Sequence, residues 1–282
     1  MNTKPTTDLP TRELLDFRQS LYNVFPRWRD ALFELSDSLL SQSKPFPSLP
    51  YLSLHAPFRR SHGSLYRALR EGELDDLAFR RLLVTHRHQT ARTVLAVDSS
   101  TWPKSDAECS PERGYYYSAS RHSNGQPIQA GWSYSWISQL NGKADSWTVP
   151  LDVMRIPPST TLTAATVTQV ARCLTLLAPQ ETQPLVVFDA GYDPIALTYQ
   201  LRATKAELLV RLRSDRVFYT DQAPQAPGTN GRPRRHGQRF VQHETATWPA
   251  PEFTLQDFDP RYGQVKVEAW SNLHPRLGAR GE

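Results

Sequence analysis

Between residues 11 and 43 apolar side chains recur at helical spacing: Leu14, Leu15, Phe17, Leu21 and Phe25, then, past Pro26, Leu32, Phe33, Leu39 and Leu40. Steps of three and four place such residues on one helix face, and an interior proline removes a backbone donor, so the segment predicts two helices parted at Pro26. Residues 45–57 carry four prolines and predict a loop. Leu65, Leu69, Leu74, Leu77 and Leu82 restore the helical period over 64–86, and the all-helical region ends near residue 88.

After Arg92 the period shortens to two. VLAVD at 94–98, GYYYSAS at 114–120, QAGWSYSWISQL at 129–140 and SWTVPLDVMRI at 146–156 predict consecutive antiparallel strands. Asn141-Gly142 is a hairpin-turn signal between the last two. The stretch 163–177 predicts a helix, LVVFD at 185–189 a strand, 195–204 a helix and LLVRL at 208–212 a buried strand. That order predicts an α/β fold built on a mixed sheet. Residues 222–239 are rich in Pro, Gly and Arg, and QRFVQHETATW and GQVKVEAWSNL predict further strands around a turn at Asp259-Pro260.

The chain of 282 residues, 39% hydrophobic, is long enough for one full domain and a smaller one. No apolar run approaches the roughly 20 residues that span a bilayer, and the first residues lack the apolar region of a signal peptide, which points to a cytoplasmic protein and away from a membrane partner. Cys109 and Cys173 stand far apart with no partner at zinc-ligand spacing, so neither a disulfide framework nor a zinc site is expected. The net charge of +5 is unevenly spread. From Arg202 to Arg239 nine basic residues, among them Arg211, Arg213, Arg232, Arg234 and Arg235, face three acids. Clustered arginine suits phosphate, because its planar fork can bond two oxygens at once; a solvated, charged loop is the alternative.

LAVD and VVFD are one device used twice: an apolar run that ends in a carboxylate. An ionised acid is rarely buried without a partner, so Asp98 reads either as the cap of a strand exit, bonded to the amides of Ser99 and Ser100, or as a ligand. Ends of adjacent parallel strands lie side by side, which would let Asp98 and Asp189 converge across 90 residues of chain. Two converging carboxylates repel unless a divalent metal such as Mg²⁺ sits between them, and a metal pair about 3.5–4 Å apart can activate the attacking oxygen and stabilise the leaving one in phosphodiester chemistry.

AVDSS at 96–100, GYYYSASRH at 114–122, FDAGYD at 188–193, LLVRLRSDR at 208–216 and DPRYGQVKVEAW at 259–270 together resemble the DDE transposases of bacterial insertion sequences. The resemblance implies an RNase H-like catalytic core over 91–216, a helical DNA-binding region over 1–90 and a β-rich insertion over 217–282. It further implies Asp98 and Asp189 as catalytic metal ligands, Mg²⁺ or Mn²⁺ as cofactor, double-stranded DNA of transposon ends and target as partner, and a homodimer across paired ends. Arg211, Arg213, Arg232, Arg234 and Arg235 are then candidate DNA contacts. The family's third acid is a Glu on a helix after the insertion. Glu207, Glu244, Glu252, Glu268 and Glu282 do not fit that place, so the third acid is expected to be missing and the chain to be a truncated transposase, inactive alone. A nuclease without strand transfer and a non-catalytic, inhibitory DNA-binding remnant are the alternatives.

Other residues are read more plainly. Asp193 precedes Pro194 as a helix N-cap. Arg211 and Arg213 alternate with Val210 and Leu212, which predicts both on one strand face. His86 and His88 form a His-x-His pair in a solvated linker. Asp106, Glu108 and Glu112 are expected in a solvated loop, and Asp145 and Asp152 at strand ends. Of Tyr115, Tyr116, Tyr117, Trp132, Tyr134 and Trp136, half are expected in the core, and outward rings could stack on flipped or single-stranded bases.

Overall fold

A computed structural model describes residues 9–117, 128–141, 147–177, 182–222 and 234–277. The chain divides into two compact units, Met1–Val187 with Ala203–Leu208, and Phe188–Arg202 with Leu209–Glu282.

The first unit begins with helices α1 (Leu9–Asn23), α2 (Arg29–Leu40), α3 (Leu49–Leu52), α4 (His62–Glu71) and α5 (Asp76–Thr85). Pro26 falls between α1 and α2, as its missing donor requires, and Trp28 enters α2 with a positive φ of 57°. Leu21, Val24, Phe25 and Leu82 form one buried cluster, and Leu35, Leu52, Phe58 and Leu65 form a second. The proline-rich stretch is not all loop: Pro50 sits in the first turn of α3, where an absent N–H costs nothing, and Leu52 is then fully buried. Arg18 and Asp37 join α1 to α2 through two bonds of 2.6 and 2.8 Å. Buried Glu34 accepts the Arg59 amide at 3.1 Å and pairs with Arg60 at 3.3 Å.

Six strands follow: β1 (Val94–Pro103), β2 (Gly114–Tyr117), β3 (Ile128–Leu140), β4 (Thr148–Ile156), β5 (Leu185–Phe188) and β6 (Glu207–Val210). They form the expected mixed sheet in the order β2-β3-β1-β5-β6, with β4 also on β3. β3 pairs antiparallel with β1, β2 and β4. Gly142, the second half of the predicted turn between β3 and β4, lies outside the described residues, as do the last residues of GYYYSAS. Helix α6 (Leu162–Leu176) lies between β4 and β5 in the chain and is capped by Thr161, whose hydroxyl accepts the Ala164 amide at 3.2 Å.

One sheet face is buried. Leu95 and Val97 of β1 and Ser133, Ser135, Ile137 and Gln139 of β3 point to it, and Gln169 of α6 donates to the Ser135 carbonyl at 3.1 Å. Cys173 of α6 lies there too, its thiol pushed up to about 12 by burial and by the Asp152 charge. The rings of β3 therefore do not enter the core as expected. The buried positions of WSYSW are its serines, while Trp132, Tyr134 and Trp136 point to the opposite face and Tyr115 and Tyr117 are exposed.

Gly131 pairs with both Pro103 and Gly114, and a Cβ on it would meet the Trp102 carbonyl oxygen at 2.1 Å. Backbone cannot yield as a flexible side chain can, so Gly131→Ala is expected to destabilise the fold by about 1–3 kcal/mol. Chemical denaturation of the variant checks this, and an unchanged midpoint would mean that the β1–β3 pairing opens at that end.

Asp152 corrects a second reading. It lies in the middle of β4, 5% exposed, between Arg80 of α5 (Nε to Oδ1, 2.7 Å) and Arg172 of α6 (Nη2 to Oδ2, 2.6 Å). One carboxylate so joins a strand to two helices that are distant in sequence.

The second unit holds α7 (Pro194–Leu201), β7 (Val217–Tyr219), β8 (Arg239–Val241), β9 (Phe253–Asp259) and β10 (Gly263–Ala269). The strand predicted through QRFVQHETATW stops at Val241. Beyond it a 3-10 turn at Thr245–Thr247 folds Trp248 back onto Phe240, rings stacked 5.3 Å apart, with Trp270 edge-on to both. β9 and β10 form the expected hairpin, in which Asp259 accepts the amides of Arg261 and Tyr262 at 2.8 and 2.9 Å.

Candidate active site

Asp98 is the fifth residue of a ten-residue strand, not the last residue of a short one. β1 continues to Pro103 because the 13-residue β3 offers a partner at every step, from Val94↔Leu140 to Pro103↔Gly131. Strand alternation turns Asp98 away from Val97 and the core, so its carboxylate is exposed and carries no burial cost. Oδ1 accepts the Ser99 amide at 2.7 Å. The cross-strand partner of Asp98 is Trp136, whose indole N–H donates to Ser100 Oγ at 2.8 Å.

Asp189 directly follows β5 and is also exposed. Its Oδ1 accepts the Gly191 amide at 2.9 Å, and a Cβ on Gly191 would stand 3.0 Å from that same oxygen. Glycine is therefore what lets the carboxylate fold back over its own loop. Asp193 caps α7 as expected, accepting the amides of Ile195 and Ala196.

The strand β6 ends at Val210, so Arg211 and Arg213 do not share a strand face. The Arg211 amide donates to the Phe188 carbonyl at 2.9 Å, and Arg213 Nε donates to the Ala190 carbonyl at 3.1 Å, which pins the residue after Asp189. β6 is also less buried than predicted. It is the last strand in the sheet order, and Leu209 is exposed. Arg234 is exposed and Arg235 half-buried; Arg232 lies outside the described residues.

The remaining candidates are absorbed by structure. Glu207 pairs with Arg92 at 2.7 Å, Glu252 binds the Ser271 hydroxyl at 2.6 Å and Glu268 pairs with Lys266 at 2.6 Å. Glu244 precedes the 3-10 turn and is not in a strand. His86 stands edge-on to Phe17 at 5.1 Å. Among the described residues no group of three or more His, Cys, Asp or Glu forms a metal-binding cluster. Asp98 and Asp189 nevertheless suit a hard divalent cation as donors: each is exposed, each holds only Oδ1 against a backbone amide, and oxygen is the ligand Mg²⁺ prefers.

No helix among the described residues is long and apolar enough to cross a membrane. No curated protein matches the chain. A family model described as DDE superfamily endonuclease matches residues 20–276. The match starts inside α1, runs past β10 and takes in both carboxylates, so the chain belongs to the DDE superfamily of endonucleases.

Proposed function

We propose that this chain is a DDE transposase that cuts and joins the ends of an insertion sequence, with Asp98 and Asp189 holding a catalytic Mg²⁺ or Mn²⁺. The observation that carries the reading is that two exposed carboxylates belong to β1 and to the loop leaving β5, strands that are neighbours in the sheet order of a DDE endonuclease. A divalent ion bound there would supply Lewis acidity toward a phosphodiester and its attacking oxygen. The chain's own part is orientation. The Ser99 and Gly191 amides hold one oxygen of each carboxylate and leave the other for a ligand, and Arg213 fixes the Asp189 loop. Arg211, Arg213, Arg232, Arg234 and Arg235 provide phosphate contacts that would position duplex DNA without reading its sequence.

The test is incubation with end-labelled duplex DNA in Mg²⁺ or Mn²⁺, with and without Asp98→Ala and Asp189→Ala. Strand joining that needs both acids supports a transposase, whereas free cut ends without joining reduce the reading to a nuclease. DNA binding that needs no divalent ion, persists in both variants and leads to no cutting in any of them would make the chain a non-catalytic DNA-binding protein.

A further inference from the structure

The arrangement of β3 inverts the usual rule for a half-buried strand. Small polar serines occupy the inward positions and large rings the outward ones, so a sheet face carries aromatic surface that the core does not use. Register places these rings together. Trp102 pairs with Trp132, Tyr134 with Ser100, and Trp136 with Asp98. On the other side of β3, Tyr115 pairs with Ala130 and Tyr117 with Ile128, which puts both tyrosines on the same face. Trp102, Tyr115 and Tyr117 are 54%, 76% and 74% exposed.

The platform is held rigid from within. Trp136 is anchored on Ser100 Oγ, Trp132 donates its indole N–H to the Pro111 carbonyl at 3.2 Å, and Trp102 rests on Tyr134 with ring centres 5.3 Å apart. Its rim is nearly neutral. Lys104 and Arg113 are offset by Asp106 and Glu108, and Arg155, the cross-strand partner of Tyr134, is paired with Glu112. Such a surface offers little to a phosphate backbone and much to the face of a base. A duplex hides its base faces in the stack, so the ligand that matches is an unpaired strand.

We propose that this face, from Tyr117 to Asp98, is a stacking surface for unpaired nucleotides of the DNA strand being processed. Four residues of strand separate Trp102 from Asp98, about 13 Å, so the rings lead along the sheet to the acid. That direction rests on the reading of Asp98 as a metal ligand; the stacking itself rests on the rings.

The experiment measures binding of two fluorescent duplexes, one blunt and one with a short single-stranded tail, without divalent ion. Tighter binding of the tailed duplex is expected. Trp102→Ala and Tyr115→Ala should each reduce that preference roughly tenfold and leave blunt binding unchanged, while Trp102→Phe and Tyr115→Phe retain it. Equal binding of both duplexes by the unaltered protein overturns the proposal, as does an equal loss on both in the alanine variants or no loss on either. Sedimentation of the same variants covers a second copy of the chain as occupant: ring removal that abolishes self-association and spares the tail preference also overturns it. Asp98→Asn separates the two readings. Failure of the metal reading leaves the tail preference intact in a protein insensitive to Mn²⁺, and failure of the stacking reading leaves Mn²⁺ binding dependent on Asp98.

Discussion

Asp152→Ala is expected to cost about 3 kcal/mol of folding stability, a large share of what a domain of this size possesses. The carboxylate is buried, and the Arg80 guanidinium against it is also largely buried. Removing one partner of a buried pair leaves the other charge desolvated and uncompensated, which costs more than the pair contributes when intact. Arg172 is about a third exposed and can turn to water, so the loss belongs at the lower end of the range for buried pairs. Asp152→Asn keeps the shape and part of the hydrogen bonding and should lose less. Urea unfolding of both variants measures the difference. A loss below 1 kcal/mol for the alanine variant would show that water reaches the site and that β4, α5 and α6 are joined by apolar contacts alone.

The second large effect concerns metal. At a Mn²⁺ concentration a hundredfold above its dissociation constant, a single site raises the unfolding free energy by about 2.7 kcal/mol. This gain is expected in the unaltered protein and should be mostly lost in Asp98→Ala and in Asp189→Ala, read as the shift in melting temperature on adding Mn²⁺. Without metal neither substitution should destabilise. Both carboxylates are exposed and bound only to neighbouring backbone amides, so their removal leaves no buried group unpaired. The combination of a silent apo protein and a lost metal response distinguishes a ligand from a structural acid. An undiminished Mn²⁺ shift in both variants would place the metal elsewhere and remove these residues from the chemistry.

Several elements were legible because their causes are local. Pro26 ends a helix wherever it stands, Thr161 and Asp193 cap the turns that follow them, and the apolar residues of 163–177 repeat at a period only a helix can bury on one side. The two strand-borne carboxylates were legible for the same reason, and with the ordered set of motifs around them they led to the family that the match over residues 20–276 bears out. What the pattern misread was what depends on a partner. Asp152 looked like a turn residue until α5 and α6 brought two arginines to it. The WSYSW rings looked half buried, because period-two alternation says that two faces exist and not which one is covered.

By itself, then, the sequence determined where helices and strands begin, which residues cap them and which acids end or interrupt apolar runs, since propensity and periodicity act over a few residues. Only the tertiary structure decided that β1 runs on through Asp98 to Pro103, that serines and not rings face α6, and that Asp152 is a buried junction. Strand length is set by how far a partner's hydrogen-bonding groups extend, and burial by which element covers a face; both partners come from distant parts of the chain.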